Sequence, residues 1–191
     1  MSETKEKNPD TEATNKGGKN TFTFMRGPDE LVTEVVADWM PLHIDEEPAA
    51  DMFYTAYLVK DDSAQRPITF CINGGPGGSS VFLQFGCAGP RILAYDDEGK
   101  EIAGAKCLVD NPSHWLGFTD LVFIDAIGTG YSRLRPEKTA DKDKPTAKKD
   151  NPYWAVKKDL ASIGEFMRKF LTRHNRWQSP LFFAGESYGG Y

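Results

Sequence analysis

Residues 185–191 read Gly-Glu-Ser-Tyr-Gly-Gly-Tyr, which sets Ser187 between Gly185 and Gly189 in a G-x-S-x-G pattern. A serine so placed suits nucleophilic attack on a carbonyl. The pattern belongs to a sharp strand-to-helix turn that holds the serine in an unfavourable backbone conformation, so the residues two positions away must lack side chains that would collide. A second stretch, Asn73-Gly74-Gly75-Pro76-Gly77-Gly78-Ser79-Ser80, leaves backbone N–H groups uncovered. Such groups can face a phosphate or a tetrahedral oxyanion. A phosphate loop needs G-x-x-x-x-G-K-[ST] and a dinucleotide loop needs G-x-G-x-x-G, and neither is present. Pro76 removes one donor from the middle of the loop. What remains is an oxyanion-binding loop upstream of a nucleophile turn.

These loops need strands to deliver them. Ile68–Ile72 reads as a β-rich run, and Leu121–Phe123 and Leu181–Ala184 lie in continuous apolar runs that suit strands covered on both faces in a parallel sheet. The first of them leads into the glycine loop and the last into the serine turn. Thr21–Phe24, Leu31–Val36 and Phe53–Val59 interleave polar and apolar residues, as antiparallel strands with one wet face do. Between Leu121–Phe123 and Leu181–Ala184, the spacing of Val156, Leu160, Ile163, Met167, Phe170 and Leu171 predicts an amphipathic helix over 152–174. Asn151 supplies its N-cap and Pro152 its first turn, and His174 stands at its end, where a cation suits the helix dipole. Strand, helix and strand make a βαβ unit. The fold class is therefore α/β, a parallel sheet entered through an antiparallel edge.

Residues 1–20 carry four lysines and four acidic side chains without an apolar run, and read as a disordered leader ahead of one folded unit at 21–191. They hold neither the apolar core of a signal peptide nor a membrane span, so no membrane partner is expected. Residues 136–152, with five lysines, four acidic residues and three prolines, read as a solvated loop. A net charge of −5 lacks the basic footprint of a nucleic-acid binder. Cys71, Cys87 and Cys107 have no metal-site spacing and read as small half-buried hydrophobes, which together with the missing signal suggests a reducing cytoplasm.

NGGPGGSS, FIDAIGTGYS at 123–132 and GESYGGY together closely resemble the serine carboxypeptidases, peptidases of the α/β-hydrolase fold that remove C-terminal residues. GCAGPRIL at 86–93 and NPSHW at 111–115 match similar stretches of that family. The resemblance runs from about Phe53 to Tyr191. It implies Ser187 as nucleophile, the backbone N–H groups of Gly75 and Tyr188 as the oxyanion hole, and Asn73 with Glu186 as the pair that hydrogen-bonds the free carboxylate of a peptide substrate. It implies no cofactor. Two carboxylates share a hydrogen bond only when one is protonated, so Glu186 is expected to need a raised pKa. Gly78 stands where many members have a disulfide cysteine, Cys71 where many have a carboxylate-lining tryptophan, and Gly190-Tyr191 where a histidine often follows. The wording of the matching motifs, with the absent signal, suggests a bacterial-type member.

A serine hydroxyl needs a base, and in α/β-hydrolases the chain order is Ser, Asp, His. His43, His114 and His174 all precede Ser187. The expectation is the N-terminal part of an α/β-hydrolase sheet, truncated at the nucleophile elbow, inactive and poorly soluble by itself, with the elbow strand as an exposed apolar edge. Esterase action or acyl transfer on the same fold, and a non-catalytic carboxylate-binding remnant, are the competing readings.

Overall fold

The computed structural model describes residues 16–61, 65–135 and 151–191. The expected leader at 1–15 and the loop at 136–150 lie outside the described residues. Gly18–Asn20, expected to belong to the leader, instead open the first strand.

Three long strands come first: β1 (Gly18–Arg26), β2 (Asp29–Ile44) and β3 (Glu47–Val59). They form the expected antiparallel meander, β1 on β2 and β2 on β3. Asp45 and Glu46, both at positive φ, make the two-residue turn between β2 and β3, a conformation whose twist matches that of paired strands. Then follow β4 (Ile68–Ile72), a short helix α1 (Val81–Leu83) running into a π-helical turn at Gln84–Ala88, β5 (Arg91–Leu93) and β6 (Leu108–Asp110). The last two pair as a separate ribbon. The chain continues through β7 (Asp120–Ile124), β8 (Arg133–Leu134), α2 (Val156–Arg173) and β9 (Leu181–Gly185).

The main sheet runs β1-β2-β3-β7-β4-β9, with β8 pairing on β3. β3 meets β7 antiparallel, while β7, β4 and β9 are mutually parallel. This is the mixed α/β sheet anticipated. Alternation sorts β4 and β7 between two cores. Phe70, Val122 and Ile124 pack with Met40, Met52 and Tyr54 under α2, whereas Cys71, Leu121 and Phe123 pack with Phe24, Tyr57 and Leu116 on the other face.

β4 is buried along its whole length, and so is β7, as a continuous apolar run should be. β9 departs from that expectation. Among the described residues it is the sheet's edge, paired on β4 alone, and Leu181, Phe182 and Phe183 stand 44%, 57% and 47% exposed. The edge position anticipated for it is the physical reason, since a strand with one neighbour and no helix over its outer rows cannot cover its side chains.

α2 starts later than the spacing suggested. Asn151 Oδ1 accepts from the Tyr153 N–H at 2.9 Å and its carbonyl from the Trp154 N–H at 3.0 Å, so Asn151 and Pro152 build a turn ahead of the helix. Ala155 then occupies the N-cap position without a side-chain cap. Ile163, Phe166, Phe170 and Leu171 are buried, with Phe166 absent from the stripe read in the sequence. Tyr54 is edge-on to Phe166 and Phe170 at 5.2 and 5.6 Å, geometry favoured by the ring quadrupoles. Val156 and Leu160, by contrast, are half exposed. The helix ends at Asn175, left-handed at φ +53°, with Arg176 N–H reaching back to the Leu171 carbonyl at 2.8 Å.

Two more expectations change. His174 stacks on Phe170 at 4.3 Å, and burial with the neighbouring Arg173 charge pushes its pKa below the usual imidazole value, which works against the cationic role expected for it at the helix end. The cysteines are free and unlike one another: Cys71 buried, Cys107 intermediate, Cys87 exposed. Burial, with Cys87 adding to it, pushes the Cys71 thiol up to about 12.

Candidate active site

The parallel register sets the site. Ile72 of β4 lies opposite Ile124 of β7 and Gly185 of β9, so the next residues, Asn73, Asp125 and Glu186, emerge side by side at the carboxyl ends of three adjacent strands. That edge is where open α/β sheets place ligands.

The serine turn has the geometry its chemistry needs. Ser187 sits at φ +52°, a strained region for a residue with a β-carbon. The turn is tied down by the Glu186 N–H on the Ile72 carbonyl at 3.2 Å and the Gly189 N–H on the Glu186 carbonyl at 2.8 Å. A β-carbon on Gly185 would stand 1.9 Å from the Gly189 carbonyl oxygen, and one on Gly189 would stand 2.6 Å from that of Ile72. Both glycines of the pattern are therefore required by close backbone approach. The Ser187 side chain is left exposed to solvent.

The glycine loop closes against this turn. Gly78 N–H bonds the Gly74 carbonyl at 2.9 Å, forming a compact loop at the end of β4. A β-carbon on Gly74 would lie 2.4 Å from the Glu186 carbonyl oxygen and 2.8 Å from both Ser187 Cβ and the Tyr188 nitrogen. The loop thus touches the serine turn, although more than 100 residues separate them in sequence. The N–H groups of Gly75 and Tyr188 donate to no atom among the described residues. Open backbone donors near an exposed serine are an arrangement that can receive a developing negative charge. Asn73 Nδ2 donates to Glu186 Oε2 at 3.4 Å, so the two residues read as a carboxylate-holding pair are neighbours at the same edge. Glu186 itself is exposed.

The three histidines do not join the serine. His43 Nδ1 lies 2.7 Å from Lys169 Nζ between β2 and α2, His114 Nε2 lies 3.0 Å from the Met25 carbonyl oxygen, and His174 stacks on Phe170. Ser187 therefore has no imidazole base among the described residues.

A cavity of about 430 Å³ opens behind the turn. Trp154, Val156, Leu160, Phe183 and Tyr191 give it apolar walls, and Asp159 lines it too, burial holding that carboxyl above its ordinary range. This cavity explains the half-exposed Val156 and Leu160, which face its open volume where the sheet does not reach.

A family model described as serine carboxypeptidase matches residues 31–191. The chain belongs to the serine carboxypeptidase family. Among curated proteins, serine carboxypeptidase-like 16 of Arabidopsis thaliana is 30% identical over 157 residues, covering 77% of this chain and 31% of that protein. A serine carboxypeptidase family member of Dictyostelium discoideum is 24% identical over 152 residues, covering 78% of this chain and 31% of that protein. A probable serine carboxypeptidase of Arthroderma benhamiae is 24% identical over 170 residues, covering 83% and 28%. The chain spans about a third of the length of the curated relatives it matches. These relatives come from a plant, an amoeba and a fungus, so the bacterial type suggested by the sequence is not borne out.

Sequence reading missed one residue at the site. Asp125 stands within FIDAIGTGYS with no role assigned to it from the sequence, yet it emerges beside Asn73, on the side away from Glu186. The sequence marks it only as an acidic residue directly after the apolar run Leu121–Ile124, and no local pattern there shows its partners.

Proposed function

We propose that this chain carries the nucleophile and the oxyanion donors of a serine carboxypeptidase acting on peptides with a free C-terminal carboxylate. Ser187 Oγ attacks the carbonyl carbon of the last peptide bond while a base takes its proton. The C–N bond breaks, the released residue leaves with that proton on its amine, and water then hydrolyses the acyl-enzyme to regenerate Ser187. The Gly75 and Tyr188 N–H groups receive the oxyanion at both tetrahedral stages. Asn73 and Glu186 hold the substrate's carboxylate, with Glu186 protonated when it shares a hydrogen bond with that carboxylate. The base and its orienting carboxylate come from the two-thirds of the family's length that this chain does not span, which leaves the chain inactive without them.

The observation that carries this reading is the meeting of Ser187 at φ +52° with a glycine loop packed against the Tyr188 nitrogen. The test uses the full-length protein and an N-blocked dipeptide. Ser187→Ala is expected to lower turnover by about 10⁴-fold or more and to abolish labelling by a fluorophosphonate. Turnover that survives the substitution removes Ser187 from the mechanism. Cleavage of the matching ester with no cleavage of the peptide would point to esterase action instead.

A further inference from the structure

We infer that Asp125 is a positioning residue, a clasp that holds the oxyanion loop at its working distance from the serine turn. The inference rests on the proposed role of that loop. Asp125 is 5% exposed, so its carboxylate must be satisfied by protein groups, and it is. Oδ1 accepts from Ser79 Oγ at 2.8 Å and from the Ser80 N–H at 2.9 Å, both at the far end of the glycine loop. Oδ2 accepts from the Tyr131 N–H at 3.1 Å.

The carboxylate therefore joins two segments, the loop after β4 and the turn after β7. The turn is itself anchored. Ser132 Oγ donates to the Asp125 carbonyl at 2.7 Å and accepts from the Phe53 N–H at 2.7 Å, and Asp125 N–H donates to the Phe53 carbonyl at 3.0 Å, so Asp125 stands on two central strands. Ser80 adds a second tie, accepting from Asn73 N–H at 3.1 Å and donating to the Ile124 carbonyl. Gly74 to Gly78 is held at one end by β4 and at the other by Asp125. A glycine-rich loop has no side chains of its own with which to keep its N–H groups aimed, so the aim must come from such ends. This gives FIDAIGTGYS its part in the site: the buried carboxylate and the turn that locks it.

Asp125 touches no reacting atom in this scheme, and its effect appears in the transition state, where oxyanion geometry matters, more than in substrate binding. In the full-length protein, Asp125→Asn puts an amide N–H where a donor already points, and is expected to lower kcat about a hundredfold with KM within a few-fold of the parent. Ser79→Ala removes one hydrogen bond to the carboxylate and leaves the backbone one, and is expected to lower kcat about tenfold. The rate of Ser187 labelling by a fluorophosphonate falls in the same order.

Thr119→Val breaks the buried Thr119–Thr69 hydroxyl contact of 2.9 Å at the opposite end of β7, and is expected to lower Tm while leaving kcat unchanged. Should Asp125→Asn fail to fold, Ser79→Ala carries the test. Wild-type kcat in both variants overturns the clasp, as does a loss that only tracks the folded fraction. The nucleophile reading would survive either result if Ser187→Ala is dead. An active Ser187→Ala overturns both.

Discussion

Gly74 lies so close to the serine turn that its position has no room for a side chain. Adding one methyl at Gly74 places it within 2.8 Å of Ser187 Cβ and the Tyr188 nitrogen, below any real contact distance, so loop and elbow must separate. Gly74→Ala in the full-length protein is expected to cost about 10²-fold in kcat, with a smaller change in KM and an unaltered far-UV spectrum. Kinetics equal to the parent would show that the loop's distance from the elbow is not limiting. At this scale the sequence was informative about geometry: the glycines flanking Ser187 and the glycine at 74 stand where a β-carbon would meet backbone atoms, so each absent side chain has a physical reason. Asp125 was not legible, because its role depends on Ser79, 46 positions earlier in the chain, and no local pattern shows that pairing.

Among elements, α2 shows where periodicity succeeds and where it stops. Its core half obeys the spacing, since Ile163, Phe170 and Leu171 meet the sheet. Its first turns do not, because burial needs an opposing surface and Val156 and Leu160 face a cavity. The helix end makes a pH prediction. Burial and the Arg173 charge depress the His174 pKa in the folded state, so the unfolded chain binds the proton more readily. Stability contributed by neutral His174 is present above the unfolded value of about 6.5 and is lost as pH falls through the window below it, towards the depressed folded value. His174→Phe, which keeps a ring on Phe170, is expected to flatten the pH dependence of Tm below about 6.5. An unchanged slope would assign that dependence to other groups.

Over the whole molecule, the two ends of the parallel strands do different work. At the carboxyl ends lie the serine turn and its loop. At the amino ends a buried carboxylate gathers the chain: Asp120, fully buried, accepts from Arg66 at 2.8 Å, Arg176 at 2.6 Å and the Val59 N–H at 3.0 Å. Arg176 also donates to the Arg66 carbonyl at 2.6 Å, so β3, β4, β7 and the entry to β9 are held by one cluster. Asp120→Asn leaves the 13% exposed Arg176 guanidinium without its carboxylate and Arg66 with that of Asp61 alone, at 3.5 Å, and is expected to cost about 3 kcal/mol in denaturant unfolding. A loss under about 1 kcal/mol would mean that water replaces the carboxylate there.

The sequence by itself determined the strand types, the existence of α2, the tight serine turn and the glycine loop, because alternation, helical spacing and obligatory glycines are local constraints written residue by residue. Only the tertiary structure decided that β4 lies between β7 and β9 with Ile72, Ile124 and Gly185 in line. That register brings Asn73, Asp125 and Glu186 to one edge and sets the loop on the elbow. Strand order and register follow from the packing of two cores and the pairing of distant backbone groups, and no single segment carries that information.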